Sequence, residues 1–344
     1  MSDTGISSIA NYIPRLRLQR KAITESNAWM APNLVGKGKG TKAISNWDED
    51  SVTMSVEAAR RILGPEDDRS QVNSLFFAST TMPYSDRLNS GIIRAALTLE
   101  ETTQCSDVSS SLKSGTTALI NAFNSVNSGK SSLSLVAASD KRKARVASAQ
   151  ELNFGDAATA ISISKDNVIA KFIDSASLSI DFIDHFRGPN EEFDYNWEER
   201  WIRDEGYLKI IPKLINNLLK DNNISPSDIS RFILPCIFPR VPQTIAKKTG
   251  IDPDNVVDNL AASVGDTGSC HPLLMLTSVL ENSTPGEKIL ICSFGGGGDA
   301  ILLETTNLIT DFTNTETTVD LINNGVDEDN YMKYLTFNDL VKWE

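Results

Sequence analysis

The chain repeats itself, and that constrains its fold more than any single motif. In its first part a helical stretch, "SVTMSVEAARRIL" (51–63), precedes a buried-type strand, "NSLFFAST" (73–80). In its second part "YLKIIPKLINNLLK" (207–220) precedes "SRFILPC" (230–236). Both linkers are polar, "GPEDDRSQV" and "DNNISPSDI". In the second, Ser225 suits an N-cap, Pro226 the first helical position and Asp228 the first turn. A helix with a small-residue start follows in each part: "KSGTTALINAFNSVNSG" (113–129), with Leu119, Ala122 and Val126 on one face, and "VGDTGSCHPLLMLTSVLENSTPG" (264–286), with Leu273, Leu276 and Val279. Gly129 and Gly286 stand where left-handed C-caps are expected. The strands "SLSLVAAS" (132–139) and "KILICSFG" (288–295) come next, then strands opening on Gly-Asp-Ala, "GDAATAISIS" (155–164) and "GDAILLET" (298–305). "SLSLV" and "ILIC" have no polar face, as expected of strands covered by helices on both sides.

A β-α-β-α-β order run twice predicts an α/β chain of two similar halves, 1–170 and 171–344, packed as five layers, α/β/α/β/α, around one continuous core. No Pro/Gly/Ser-rich linker separates them. The 344 residues, 40% hydrophobic, are enough for such a body. Between the repeats, "DHFRGPNEEFDYNWEERWIRDEGY" (184–207) mixes charge with aromatics. It reads equally as an amphipathic surface helix or as an interface or pocket wall.

The net charge of −12 argues against a nucleic-acid partner, which needs clustered Lys and Arg. The one basic run, "SDKRKARVAS" (139–148), reads as a solvated loop, with a docking patch for an acidic partner or a CoA phosphate as the alternative. Cys105, Cys236, Cys270 and Cys292 are scattered, as expected of reduced thiols in a cytoplasmic protein, and two histidines without clustered ligands predict no metal site. Neither a signal peptide nor an apolar run near 20 residues is visible, so neither export nor a membrane is expected.

The two halves, the small-residue helix starts, the "FGDAATA" strand and the "SFGGGGDA" turn resemble the thiolase superfamily. The resemblance is closest to type III β-ketoacyl-ACP synthases and 3-hydroxy-3-methylglutaryl-CoA (HMG-CoA) synthases. "ASTTMPYSDR", "CSDV…KSGTTAL" and "VGDTGS…PLL" are most similar to the synthase-like subunit of the diacetylphloroglucinol-type acyltransferase, which works beside a thiolase and a small OB-fold, zinc-ribbon protein. The resemblance implies a cysteine nucleophile at the start of the first central helix, a histidine base, an asparagine and, in HMG-CoA synthases, a glutamate. Those roles fall here on Leu112, Cys236, Asp266 and Thr80, and none is the expected residue.

Ser109, Ser110 and Ser111 read as helix-start caps rather than nucleophiles. Cys236 and Cys270 read as small buried residues, reactive only with a depressed pKa. His271 neighbours Cys270, too far round a helix for a dyad, and reads as a capping residue. His185 is expected to be exposed or paired with a neighbouring carboxylate. Asp266, buried with a raised pKa, would suit a lone general base. "FGGGGDA" (294–300) precedes a strand and not a helix, so it reads as close backbone approach near the pocket floor.

The resemblance therefore implies a catalytically degenerate, HMG-CoA-synthase-like subunit of an acyltransferase complex. The expected partners are a second copy, pairing through the edge near "TQCSDV", a catalytic thiolase and an OB-fold/zinc-ribbon protein. No covalently bound cofactor is expected, and a coenzyme A thioester is a possible substrate. The alternatives are an active condensing enzyme using Cys236, Cys270 or Asp266, and a dimer that binds acyl groups without turnover.

Overall fold

The computed structural model describes residues 3–64 and 67–341. Pro65 and Glu66 of the first polar linker lie outside the described residues. Nine strands form one sheet: β1 (Gly5–Tyr12), β2 (Val72–Ala78), β3 (Gln104–Val108), β4 (Leu133–Asp140), β5 (Ala157–Ser164), β6 (Ala170–Ser179), β7 (Ile229–Ile233), β8 (Lys288–Phe294) and β9 (Gly297–Thr305). Their order is β7-β8-β9-β6-β1-β5-β4-β2-β3.

The order reads outward symmetrically from the β6/β1 junction. On one side come β1, β5, β4, β2 and β3; on the other β6, β9, β8 and β7. The strand directions match as well. β2 runs parallel to β3 and β4, and β7 parallel to β8, while the β4/β5, β5/β1, β8/β9 and β9/β6 pairs are antiparallel. Where β3 flanks β2, the second half has only a parallel bridge from Phe232 to Val256. The halves join through two residue pairs, Gly5 with Lys171 and Ile6 with Ala170. The expected two sheets thus touch edge to edge.

The five layers follow from which strand faces are apolar. Leu75 and Phe77 of β2, Leu135 and Ala137 of β4, and Ala158 and Ala160 of β5 face helices α1 (Ser51–Ile62) and α2 (Asn89–Ala96). Val136, Ala138, Ile161 and Ile163 face the other way, onto the central helices α3 (Ser114–Asn127) and α6 (His271–Leu280). In the second half Ile289, Ile291, Ile301 and Leu303 face that same centre. Leu290, Cys292, Ala300 and Leu302 face α4 (Leu208–Asp221) and α5 (Val241–Thr249). A strand buried on both faces needs apolar residues at odd and even positions, which is why "SLSLV" and "ILIC" read as continuous apolar runs.

α3 buries one stripe, including Leu119, Ala122 and Val126, whereas α6 is apolar nearly all round because it lies wholly inside. Gly129 follows α3 with φ +75°, a left-handed C-cap. The expectation fails for Gly286. α6 ends earlier, at Leu280, with Glu281 as its C-cap, and Gly286 (φ +83°) instead turns the chain into β8.

The central helices meet backbone to backbone. A Cβ on Gly115 would lie 2.1 Å from the Ser269 carbonyl oxygen, a main-chain atom that cannot swing aside. Gly115→Ala is therefore expected to cost about 1–3 kcal/mol by overpacking, read as a lower denaturant midpoint at unchanged slope.

Candidate functional site

The corner between β3 and α3 is "SSSLK", residues 109–113. Ser110 sits there at φ +74°, an uncommon conformation for a residue with a side chain. The Ser111 hydroxyl donates to the Gly295 carbonyl at 2.7 Å and accepts from the Lys113 N–H at 3.2 Å. The expected capping of α3 by this serine run is not seen: the helix starts at Ser114 with no side-chain cap bond, Ser111 bonds the residue before it, and the side chains of Ser109 and Ser110 are exposed. A Cβ on Gly295 would meet Ser111 Oγ at 2.7 Å and the Leu112 nitrogen at 3.0 Å, so the glycine run does serve close backbone approach.

Leu112, Cys236, Asp266 and His271 line one small cavity of about 40 Å³, together with Tyr207 and Asn259. That is room for a few water molecules, not for an acyl chain. Thr80 lies outside it. It lines a neighbouring, polar cavity of about 410 Å³ with Ser109, Ser110, Ser111, His185 and Arg187. A third space, about 70 Å³, shares lining residues with both: Leu112, Tyr207 and Asp266 with the first, and Asp184, His185 and Asp194 with the second. Cys270 lines none of these; its thiol points at the carbonyls of Ala157 and Thr267, both at 3.3 Å.

The electrostatics of the first cavity correct three expectations. Asp266 is not a lone base. Burial alone would raise its pKa, but the Arg142 guanidinium, 3.0 Å away, and nearby His271 hold it below the usual carboxylate range. Arg142 itself overturns the solvated-loop reading of the basic run. Its side chain is 2% exposed, lies over the Phe154 ring and donates to the Asp266 carbonyl at 2.6 Å. His271 is no surface cap. Its Nδ1 accepts the Thr267 N–H at 2.9 Å, so Nε2 carries the proton and donates to the Asn259 carbonyl at 2.7 Å. Both ring nitrogens are committed to the main chain, and burial lowers the pKa.

Neither candidate cysteine is an activated thiol. Burial pushes Cys236 up to about 12 and Cys270 higher still. A thiolate nucleophile requires the opposite shift.

The segment 184–207 is a pocket wall, not a single surface helix. His185–Phe186 pairs antiparallel with Tyr195–Asn196, and Arg187 ties this hairpin to the first half through the Thr80 carbonyl at 2.6 Å. A π-helical turn, Ile202–Tyr207, then leads into α4. Pro212 in α4 has no N–H to offer the Leu208 carbonyl, which accepts from Lys248 Nζ at 2.8 Å instead. The turn delivers Tyr207 to the cavity, its ring 4.3 Å from that of Phe294. His185 takes the paired form of its expectation: Nδ1 lies 2.9 Å from Asp184 Oδ2. Burial opposes its charge, but the Asp184 carboxylate prevails and raises the pKa.

Sequence reasoning missed Arg142, Tyr207 and Asn259 as site residues. Arg142 had one usable signal, its place two residues after Asp140 at the end of a buried strand; nothing local marks Asn259.

With this geometry in hand, the class is clear: the fold is thiolase-like. A family model described as "3-Oxoacyl-[acyl-carrier-protein (ACP)] synthase III C terminal" matches residues 219–303. A curated relative from Picrophilus torridus, named hydroxymethylglutaryl-CoA synthase, is 28% identical over 316 residues, 90% of this chain and 89% of its own. Among solved structures, an HMG-CoA synthase complexed with CoA superposes with TM-score 0.82 at 19% identity, covering 96% of this chain and 89% of its own. MvaS in complex with 3-hydroxy-3-methylglutaryl coenzyme A gives 0.81 at 14%, covering 97% and 91%. The chain has the fold of these structures and is similar over most of its length to proteins named hydroxymethylglutaryl-CoA synthase.

The two histidines make opposite predictions for stability. The folded pKa of His271 lies below its ordinary value of about 6.5, so the unfolded chain binds that proton more readily. The contribution of His271 is present above about 6.5 and is lost as the pH falls. The folded pKa of His185 is raised, so its contribution is full below about 6.5 and is lost as the pH rises through the folded value. Urea midpoints measured from about pH 5.5 to 8 check this: His271→Asn should flatten the acid-side loss, and His185→Gln the alkaline-side loss.

Proposed function

We infer that the chain is an HMG-CoA-synthase-like subunit that does not perform acyl transfer itself and serves a multi-protein acyltransferase or thiolase complex acting on CoA thioesters. The observation that carries this reading is the content of the inner cavity. The corner residue Leu112 has no nucleophilic atom, the Cys236 thiol is held protonated with a pKa of about 12, Asp266 is bound in an ion pair, and both His271 nitrogens are engaged. Condensation needs a thiolate and a free acid–base group beside it.

Two features support a partnered role. β3 ends the nine-stranded sheet with one edge unpaired, a natural seat for a second copy. Phe186, Tyr195, Trp197 and Trp201 are each 44–52% exposed beside the large cavity, residue types enriched at interfaces. A catalytic thiolase and a small OB-fold/zinc-ribbon protein are the proposed partners, and the relatives bound to CoA and HMG-CoA support a thioester ligand. No described helix is long and apolar enough to cross a membrane.

The rival reading, a condensing enzyme working through Cys236 or Asp266, meets the same test. The purified chain, given acetyl-CoA and acetoacetyl-CoA together, should form no HMG-CoA above background, and Leu112→Cys should not change that, because Asp266 is held in an ion pair and both His271 nitrogens are engaged. HMG-CoA formation by either protein would overturn the proposal.

A further inference from the structure

The large cavity holds an acid–base pair that the lost condensing chemistry does not use. Asp184 is buried and its Oδ2 lies 2.9 Å from Nδ1 of His185. This fixes the ring and its tautomer, as a carboxylate does for a catalytic imidazole. Nε2 of His185 makes no hydrogen bond among the described residues. His185 lines both the 410 Å³ cavity and the 70 Å³ space that Leu112 also lines. Across the larger cavity stand the exposed side chains of Ser109 and Ser110, the latter in its left-handed conformation. Non-glycine residues held this way cluster at functional corners. α3 begins beyond this corner, so its positive dipole end favours negative charge developing there.

We propose that the His185–Asp184 pair is the general-base site of a thioester hydrolase housed in the outer cavity, with Ser109 and Ser110 positioning the attacking water. The cavity is in the size range of small-ligand sites, whereas the inner one is not. The chemistry balances with water as the only co-reactant. Water oxygen bonds to the thioester carbonyl carbon while His185 Nε2 takes its proton. The C–S bond then breaks, and the same proton passes to the departing sulfur. The products are a carboxylic acid and the free thiol. The charged groups around His185 are Asp181, Asp184 and Arg187 on its own segment, Asp194 just before the second strand of the hairpin, Arg142 from the loop after β4, and Asp266 before α6.

The proposal rests on the reading that the chain binds a CoA thioester, but its test uses one substrate where condensation needs two. Acetyl-CoA alone is incubated with the purified chain, and free CoA is quantified by chromatography across the pH range. Wild type should release CoA at a rate that rises with pH through one ionisation. His185→Gln should lose at least about 100-fold, the usual contribution of a positioned base. Asp184→Asn should move the midpoint to lower pH, because the carboxylate that raises the His185 pKa is gone; a merely structural residue would lower the rate without moving it. Unchanged thermal midpoints in the variants exclude unfolding as the cause. No CoA release by wild type, or release undiminished in a folded His185→Gln protein, overturns the hydrolase. HMG-CoA formation with both substrates would overturn the degenerate-subunit reading and leave the hydrolase standing.

Discussion

Each central helix is anchored by a buried carboxylate from the opposite half. Asp299 of β9 accepts from Lys113 Nζ at 2.9 Å, from Thr117 Oγ1 at 2.6 Å and from Thr116 Oγ1 at 3.1 Å, all at the start of α3. Asp140, at the end of β4, accepts the Ser269 N–H at 2.7 Å, just before α6. It also gathers the Thr80 N–H at 2.7 Å and the hydroxyls of Ser79, Thr80 and Thr81. A buried carboxylate is tolerable only when its oxygens are this fully bonded. The exchange fixes where α3 and α6 begin, and therefore where the "SSSLK" corner and the Asp266–His271 segment face one another.

This lock holds the fold largely independently of the four candidate site positions. None of its donors or acceptors is one of the positions that depart from the condensing-enzyme pattern, apart from Thr80, which donates to Asp140. Leu112 lines the cavity with an apolar side chain. Asp266 is neutralised by Arg142. Cys236 behaves as a small hydrophobe among Tyr207, Phe294 and their neighbours. Each of these residues is accommodated by the fold.

The fold was legible in the sequence to the extent that it rests on local periodicity. Two-faced strands, helix starts rich in small residues and the doubled order all have signals within a dozen residues, and the nine-stranded order realises them. The end of α6 was not legible, because a helix apolar on all sides offers no stripe whose fading marks its end. The site was legible as positions and misread as chemistry. Asp266 looks like a free base until Arg142, 124 residues away, is beside it. His271 looks like a cap until Asn259 and Thr267 claim both nitrogens. Charge runs usually face water, so "SDKRKARVAS" hid a buried guanidinium among solvated neighbours. The aromatic-acidic segment was open between two readings because it is held by contacts far away in sequence, Arg187 to Thr80 and Tyr207 to Phe294.

The central claim is that no thiol in this chain is activated to carry an acyl group. Intact-protein mass spectrometry after incubation with acetyl-CoA measures this directly. The account predicts an unchanged mass, since Leu112 cannot react and burial keeps Cys236 protonated. A mass gain of one acetyl group, mapped to Cys236 or Cys270, would contradict it.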